Sequence, residues 1–141
     1  MNKKEIRAAF RKAVFDRDKH RCVMCGKSSK EVKLNAHHII DRHDLANGGY
    51  VPENGITLCD FDGGCHWKAE HWHATGEAIP DYSPHDLFVK IGSDLDKAME
   101  ASYDLEESLG EKIIKRLEEG VEGLKKGELK KTSIWRYNDE S

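Results

Sequence analysis

Four cysteines constrain this chain more than any other feature, and they fall in two pairs, Cys22-x2-Cys25 and Cys59-x5-Cys65. The chain opens MNKKEIRAAFRKAVF, with alternating charges and no apolar run, so no secretory leader is expected and a disulfide framework is disfavoured. A thioredoxin-type redox pair would need its Cys-x-x-Cys between a strand and a helix. Here the preceding Arg17-Asp18-Lys19-His20-Arg21 is charged and reads as a helix end or turn. Two separated cysteine pairs in one domain-sized chain of 141 residues read better as a structural zinc site, four donors around a tetrahedral ion.

The surrounding pattern predicts mixed elements. Ile6, Phe10, Ala13 and Val14 recur at helical spacing over residues 3–17, with Lys and Arg on the opposite face. Val32 to Ile40 reads as a strand, then a loop rich in Asp, Asn, Gly and Pro runs from Asp41 to Glu53. Gly55 to Cys59 reads as a second short strand, and a helix is expected from Cys65 to about His73. Ser83-Pro84 supplies a cap and a proline at the first helical position of a helix through Phe88. After Gly92, a capped helix with Leu95, Ala98, Met99, Ser102 and Leu105 on one face ends near Leu109-Gly110. A second run, Ile113, Ile114, Leu117, Val121 and Leu124, completes a helical hairpin.

No stretch approaches the roughly 20 apolar residues of a membrane span. The net charge of −3 conceals an asymmetry: residues 1–33 carry eleven Lys/Arg against four Asp/Glu, whereas residues 94–128 carry eleven acids against six bases. Screening over ~8–10 Å makes the local patch count more than the average. Such a chain suits contact with nucleic acid through its basic end, although a solvated helical surface would carry the same charges.

Between the cysteine pairs stand Ala36-His37-His38-Ile39-Ile40 and Glu53-Asn54-Gly55-Ile56-Thr57-Leu58-Cys59, and Cys65 is followed directly by His66. With these elements in this order, residues 7–73 resemble the His-Asn-His (HNH) endonucleases that carry a zinc-binding treble clef. The resemblance implies an α+β chain: a ββα-metal fold on a zinc-bound treble clef, with an N-terminal helix and a C-terminal helical hairpin. Residues 1–76 would be the nuclease and zinc domain, 77–128 a helical extension and 129–141 a polar tail. It also implies a metal-dependent DNA endonuclease. His37 and His66 would hold a catalytic divalent metal such as Mg2+ or Mn2+, and His38 would be the general base. Asn54 would tie the loop to the backbone and hold that base in place. Cys22, Cys25, Cys59 and Cys65 would be the ligands of the structural zinc. Similar small stand-alone proteins occur in phages and bacteria, which implies a cytoplasmic setting and a role in packaging, restriction or mobility.

Elementary chemistry supports these roles. Phosphodiester cleavage needs positive charge near the leaving oxygen and a base poised near neutrality, which an imidazole supplies. Adjacent helical residues point about 100° apart, so Cys65 can face one metal and His66 another. In a regular strand, however, His37 and His38 point to opposite faces, and both can serve one phosphate only if the strand ends or twists there.

Departures from the family pattern leave alternatives open. The second knuckle, Cys59-x5-Cys65, is longer than the usual Cys-x2-Cys, which leaves a Cys3His set of Cys22, Cys25, Cys59 and His66 as a rival. Glu70, one turn after His66, is either a third metal ligand or a residue that orients one. Arg42 either clamps a phosphate or pairs with Asp41 or Asp44. Lys3, Lys4, Arg7, Arg11 and Lys12 are expected to contact phosphates without reading sequence. Trp67 and Trp72 are expected to pack inward, and His71 and His73 to be solvated at a helix end. The rival function is a non-catalytic zinc module binding nucleic acid or protein. A further one is a nuclease subunit activated by a partner, or a homodimer, through the C-terminal helices.

Overall fold

The computed structural model describes residues 2–105. The elements are α1 (Lys3–Arg17), β1 (Leu34–His38), β2 (Gly55–Cys59), α2 (Cys65–Thr75) and α3 (Pro84–Ile91). A further helix, α4, covers residues 95–105. This is an α+β arrangement in which β1, β2 and α2 follow one another in ββα order, as expected. The expected helical run through residues 113–124 and the polar tail lie outside the described residues.

β1 and β2 form a two-stranded antiparallel sheet, paired from Leu34 with Cys59 to His38 with Gly55. The first strand is shorter than the expected Val32 to Ile40. At its start, the Val32 N–H donates to the Ser28 carbonyl in a turn. Past His38 the partner strand has ended, and Ile39 and Ile40 bond to Asn54 instead of extending the ladder.

Asn2 caps α1, its side chain accepting the Glu5 N–H at 2.8 Å. Phe10 and Val14 bury the apolar stripe of this helix against the sheet. Gly55 permits the close approach, because a Cβ there would stand 2.5 Å from Val14 and 2.8 Å from the Phe10 ring. The end of the helix is locked to β2. Arg17 donates to the carbonyls of Pro52 (2.7 Å) and Gly55 (2.6 Å), and the Thr57 N–H donates to Asp18 at 2.9 Å.

Ser83 and Asp86 form a reciprocal capping box at the start of α3, which runs past the expected Phe88 to Ile91 and stops at left-handed Gly92. Leu87, Phe88 and Ala98 join the same buried cluster as Ile39, Ile56, Leu58, Cys22, Cys59 and Cys65. α4 buries Ala98 and Ser102 but leaves Leu95 and Met99 46% and 37% exposed, so only part of its expected apolar face is covered. On its covered side, the Asn47 side chain donates to the Ser102 carbonyl at 2.9 Å. No described helix is long and apolar enough to cross a membrane.

Candidate metal and catalytic site

The first donor cluster gathers the two cysteine knuckles. A tight hairpin from Arg21 to Ser28 carries Cys22 and Cys25, with the Cys22 N–H on the Lys27 carbonyl and Gly26 in left-handed conformation. β2 delivers Cys59 and the first residue of α2 delivers Cys65. The four sulfurs lie within 4.8 Å of one another. The Cys25 and Cys59 sulfurs are 3.7 Å apart, far beyond the ~2.05 Å of a disulfide. Backbone N–H groups of Cys25 and Cys65 point at the sulfurs of Cys22 (3.5 Å) and Cys59 (3.3 Å). Burial pushes the Cys65 thiol up, and the Cys25 thiol rises as well. Four thiolates this close call for a cation, and a tetrahedral set of soft donors suits zinc. Tyr82 from the segment before α3 puts its hydroxyl 3.3 Å from the Cys65 sulfur.

His66 stands apart from that cluster. It lies with His37 and Glu70, each offering one donor atom within 4.8 Å of the other two. Cys65 thus joins the sulfurs while its neighbour turns to a different set, as a helical step of 100° allows.

His37 is 2% exposed, and neither ring nitrogen has a hydrogen-bond partner among the described residues. Its Nδ1 is 3.2 Å from Glu70 Oε1, and His66 Nε2 is 3.3 Å from the same oxygen. The His37 contact is off the line of a hydrogen bond. A buried imidazole left without a partner is costly, and convergence of these donors on a shared carboxylate fits a divalent cation. On the far side of His66, Nδ1 meets Asp60 at 3.3 Å, a carboxylate placed to fix the ring's orientation. The His37 and His66 imidazoles hold Glu70 well below the usual carboxylate range. Burial lowers His37 despite Glu70; at His66 burial is outweighed by Glu70 and Asp60, and its pKa rises.

His38 projects from the other face of β1, as a regular strand requires. Its ring stacks on Phe10 at 4.6 Å and meets the edge of Tyr50 at 4.6 Å. Because β1 ends at His38, both histidines nevertheless line one cleft of 380 Å³, together with Asp41, Arg42, His66, Glu70 and His73. Burial, reinforced by His37, pulls the His38 pKa to about 4, so the ring is neutral at pH 7 and its pKa lies below the near-neutral value expected of a base.

Asn54 is wholly buried beneath this strand end. Its side chain accepts the Ile40 N–H at 2.9 Å and donates to the carbonyls of Ile40 (3.0 Å) and Gly49 (3.2 Å). Gly49 has φ +63°, and a Cβ there would press to 2.7 Å from the Asn54 amide.

His73 was not expected here. On α2, which runs to Thr75, His73 faces the cleft with its Nε2 3.1 Å from the His38 carbonyl and its ring 5.3 Å from that of His37. The spacing 66, 70, 73 is one helical stripe, a signal present in the sequence. The tryptophans are also corrected: α2 packs through Cys65 and Ala69, leaving Trp67 and Trp72 51% and 36% exposed.

Lys3, Lys4, Arg7, Arg11 and Lys12 are all exposed on α1. Lys12 pairs with Asp16 at 2.6 Å, while the Arg7 guanidinium lies 5.8 Å over the Tyr50 ring. Arg42 is exposed and makes no ion pair among the described residues; Asp41 pairs with His43 instead, at 3.1 Å.

The family model described as HNH endonuclease matches residues 22–71, a span holding all four cysteines, His37, His38, Asn54, His66 and Glu70. No curated protein and no solved structure matches the chain. The likeness to HNH endonucleases is thus confined to residues 22–71, with α1 and His73 lying outside the matched span.

Proposed function

We propose that this HNH-like region makes the chain a metal-dependent DNA endonuclease. The observation that carries the reading is the juxtaposition, in one cleft, of the His37–His66–Glu70 donor set with a neutral His38. Cys22, Cys25, Cys59 and Cys65 would hold a structural zinc and fix the treble clef from which α2 projects. A divalent cation held by His37, His66 and Glu70 would supply positive charge for the departing oxygen.

His38 removes a proton from the attacking water as a new P–O bond forms, and the bond to the leaving oxygen breaks. Stacking on Phe10 and the edge of Tyr50 restrict the imidazole to one orientation. Asn54 is a positioning residue: it binds both polar groups of the Ile40 peptide and so fixes the chain just beyond the base. Lys3, Lys4, Arg7, Arg11 and Arg42 contact phosphates; Lys12, already paired with Asp16, contributes least.

The test is nicking of supercoiled plasmid with EDTA, Mg2+, Mn2+ or Zn2+. Metal-dependent conversion to open circles is expected. No cleavage with any metal by a zinc-loaded chain would overturn the enzyme reading in favour of a binding module or a partner-activated subunit.

A further inference from the structure

Two clefts meet at His38, and a third adjoins both of them. The catalytic cleft shares Asn35, Ala36 and His38 with a groove of 450 Å³ between α1 and β1. That groove shares Arg7 and Tyr50 with a smaller cleft of 280 Å³, which in turn shares Arg42 with the catalytic cleft. The charged residues of the groove are Arg7, Arg11 and Lys33, and the smaller cleft adds Lys3 and Arg42. No carboxylate lines either one, in a chain with 26 acids and 23 Lys/Arg. The concentration of cations is therefore local, and the groove that carries it adjoins the catalytic cleft at His38.

The groove is not merely basic. Its floor and walls include Phe10, Leu34 and Ala36, with half-buried Phe15 and Tyr50 beside the arginines. Cations interleaved with aromatic rings are the composition that follows a single strand, where phosphates meet the charges and base faces meet the rings. A duplex keeps its base faces stacked inside and would offer this groove little besides phosphates. β1 is also the open edge of the sheet on this side, because β2 is its one partner among the described strands.

We propose that the α1–β1 groove seats an unpaired stretch of polynucleotide next to the scissile phosphate. Its phosphates lie on Arg7 and Arg11, and a base or sugar lies against Phe15. This rests on the nuclease reading above and names its substrate class: single-stranded nucleic acid, or a duplex carrying an unpaired segment.

The experiment compares wild type, Arg11→Glu and Arg11→Lys on a short single-stranded oligonucleotide and on bis(p-nitrophenyl) phosphate, a diester too short to span the catalytic cleft and the groove together. Fluorescence anisotropy, without added divalent metal, measures binding of the same oligonucleotide and of its duplex. For Arg11→Glu, the ratio of kcat/KM on the oligonucleotide to that on the small diester should fall about tenfold or more, through KM. The salt dependence of binding should become shallower by about one unit of log–log slope. Arg11→Lys should recover most of the loss, and wild type should bind the single strand more tightly than the duplex. An unaltered ratio, or tighter binding of the duplex, would overturn the proposal. If wild type cleaves neither substrate, the nuclease reading falls, and anisotropy alone decides. A weakened Arg11→Glu complex would keep the groove, and equal affinity would remove it.

Discussion

The two donor clusters begin at adjacent residues, Cys65 and His66, yet they are built on opposite plans. The cysteine cluster is closed: three of its sulfurs are buried, and backbone N–H groups point at two of them. The His37–His66–Glu70 set is one-sided: His37 is buried and His66 partly so, but the shared carboxylate opens onto a cleft holding His38 and Arg42. A closed set of soft donors holds chain segments together, whereas an open mixed set leaves room for a substrate. The comparison teaches that one helical step separates a closed donor set from an open one in this chain.

Breaking the closed cluster should have the larger consequence. Cys59→Ser is expected to abolish stoichiometric zinc and to unfold the chain at 37 °C, since zinc binding in small domains is worth about 10–16 kcal/mol of apparent free energy. Circular dichroism and zinc analysis would show it, and a native melting curve would argue that the core alone holds the fold. Breaking the open cluster should spare the fold. His66→Ala is expected to keep one zinc per chain and a cooperative melt while losing about 10²–10⁴-fold in cleavage, the range of an electrostatic or acid–base group. Loss of the zinc in that variant would instead favour Cys3His ligation.

Asn54 sharpens the comparison because it binds no donor in either cluster. Asn54→Ala leaves a buried N–H and two carbonyls unpaired, which should cost about 1–3 kcal/mol in a urea titration and lower kcat more than it raises KM. The smallest effect is expected at Tyr82, whose hydroxyl meets the Cys65 sulfur. Tyr82→Phe should retain the fold and release zinc to a chelator several-fold faster. An unchanged release rate would show that this contact does not tune the cluster.

Much of this site was legible because the chemistry dictates residue type: cysteines in pairs, adjacent histidines, a buried amide, and a histidine directly after a cysteine. The cap at Ser83 and the stop at Gly92 were legible for the same reason. What escaped depended on where elements end. The strand stops at His38 because its partner stops at Gly55, and that ending brings both histidines to one cleft. His73 already lay within the expected helix; its place at the helix end suggested a solvated ring, although it shares the stripe of His66 and Glu70. Trp67 and Trp72 misled because size suggests burial, whereas this helix packs through Cys65 and Ala69.

The most direct test of the central account is plasmid nicking by wild type and His38→Ala in Mg2+ or Mn2+, with circular dichroism and zinc content measured on the same samples. The account predicts metal-dependent nicking by wild type and a loss of about 10²–10⁴-fold in a variant that keeps its fold and its zinc. Full activity in His38→Ala would contradict it, because His38 could not then be the proposed general base.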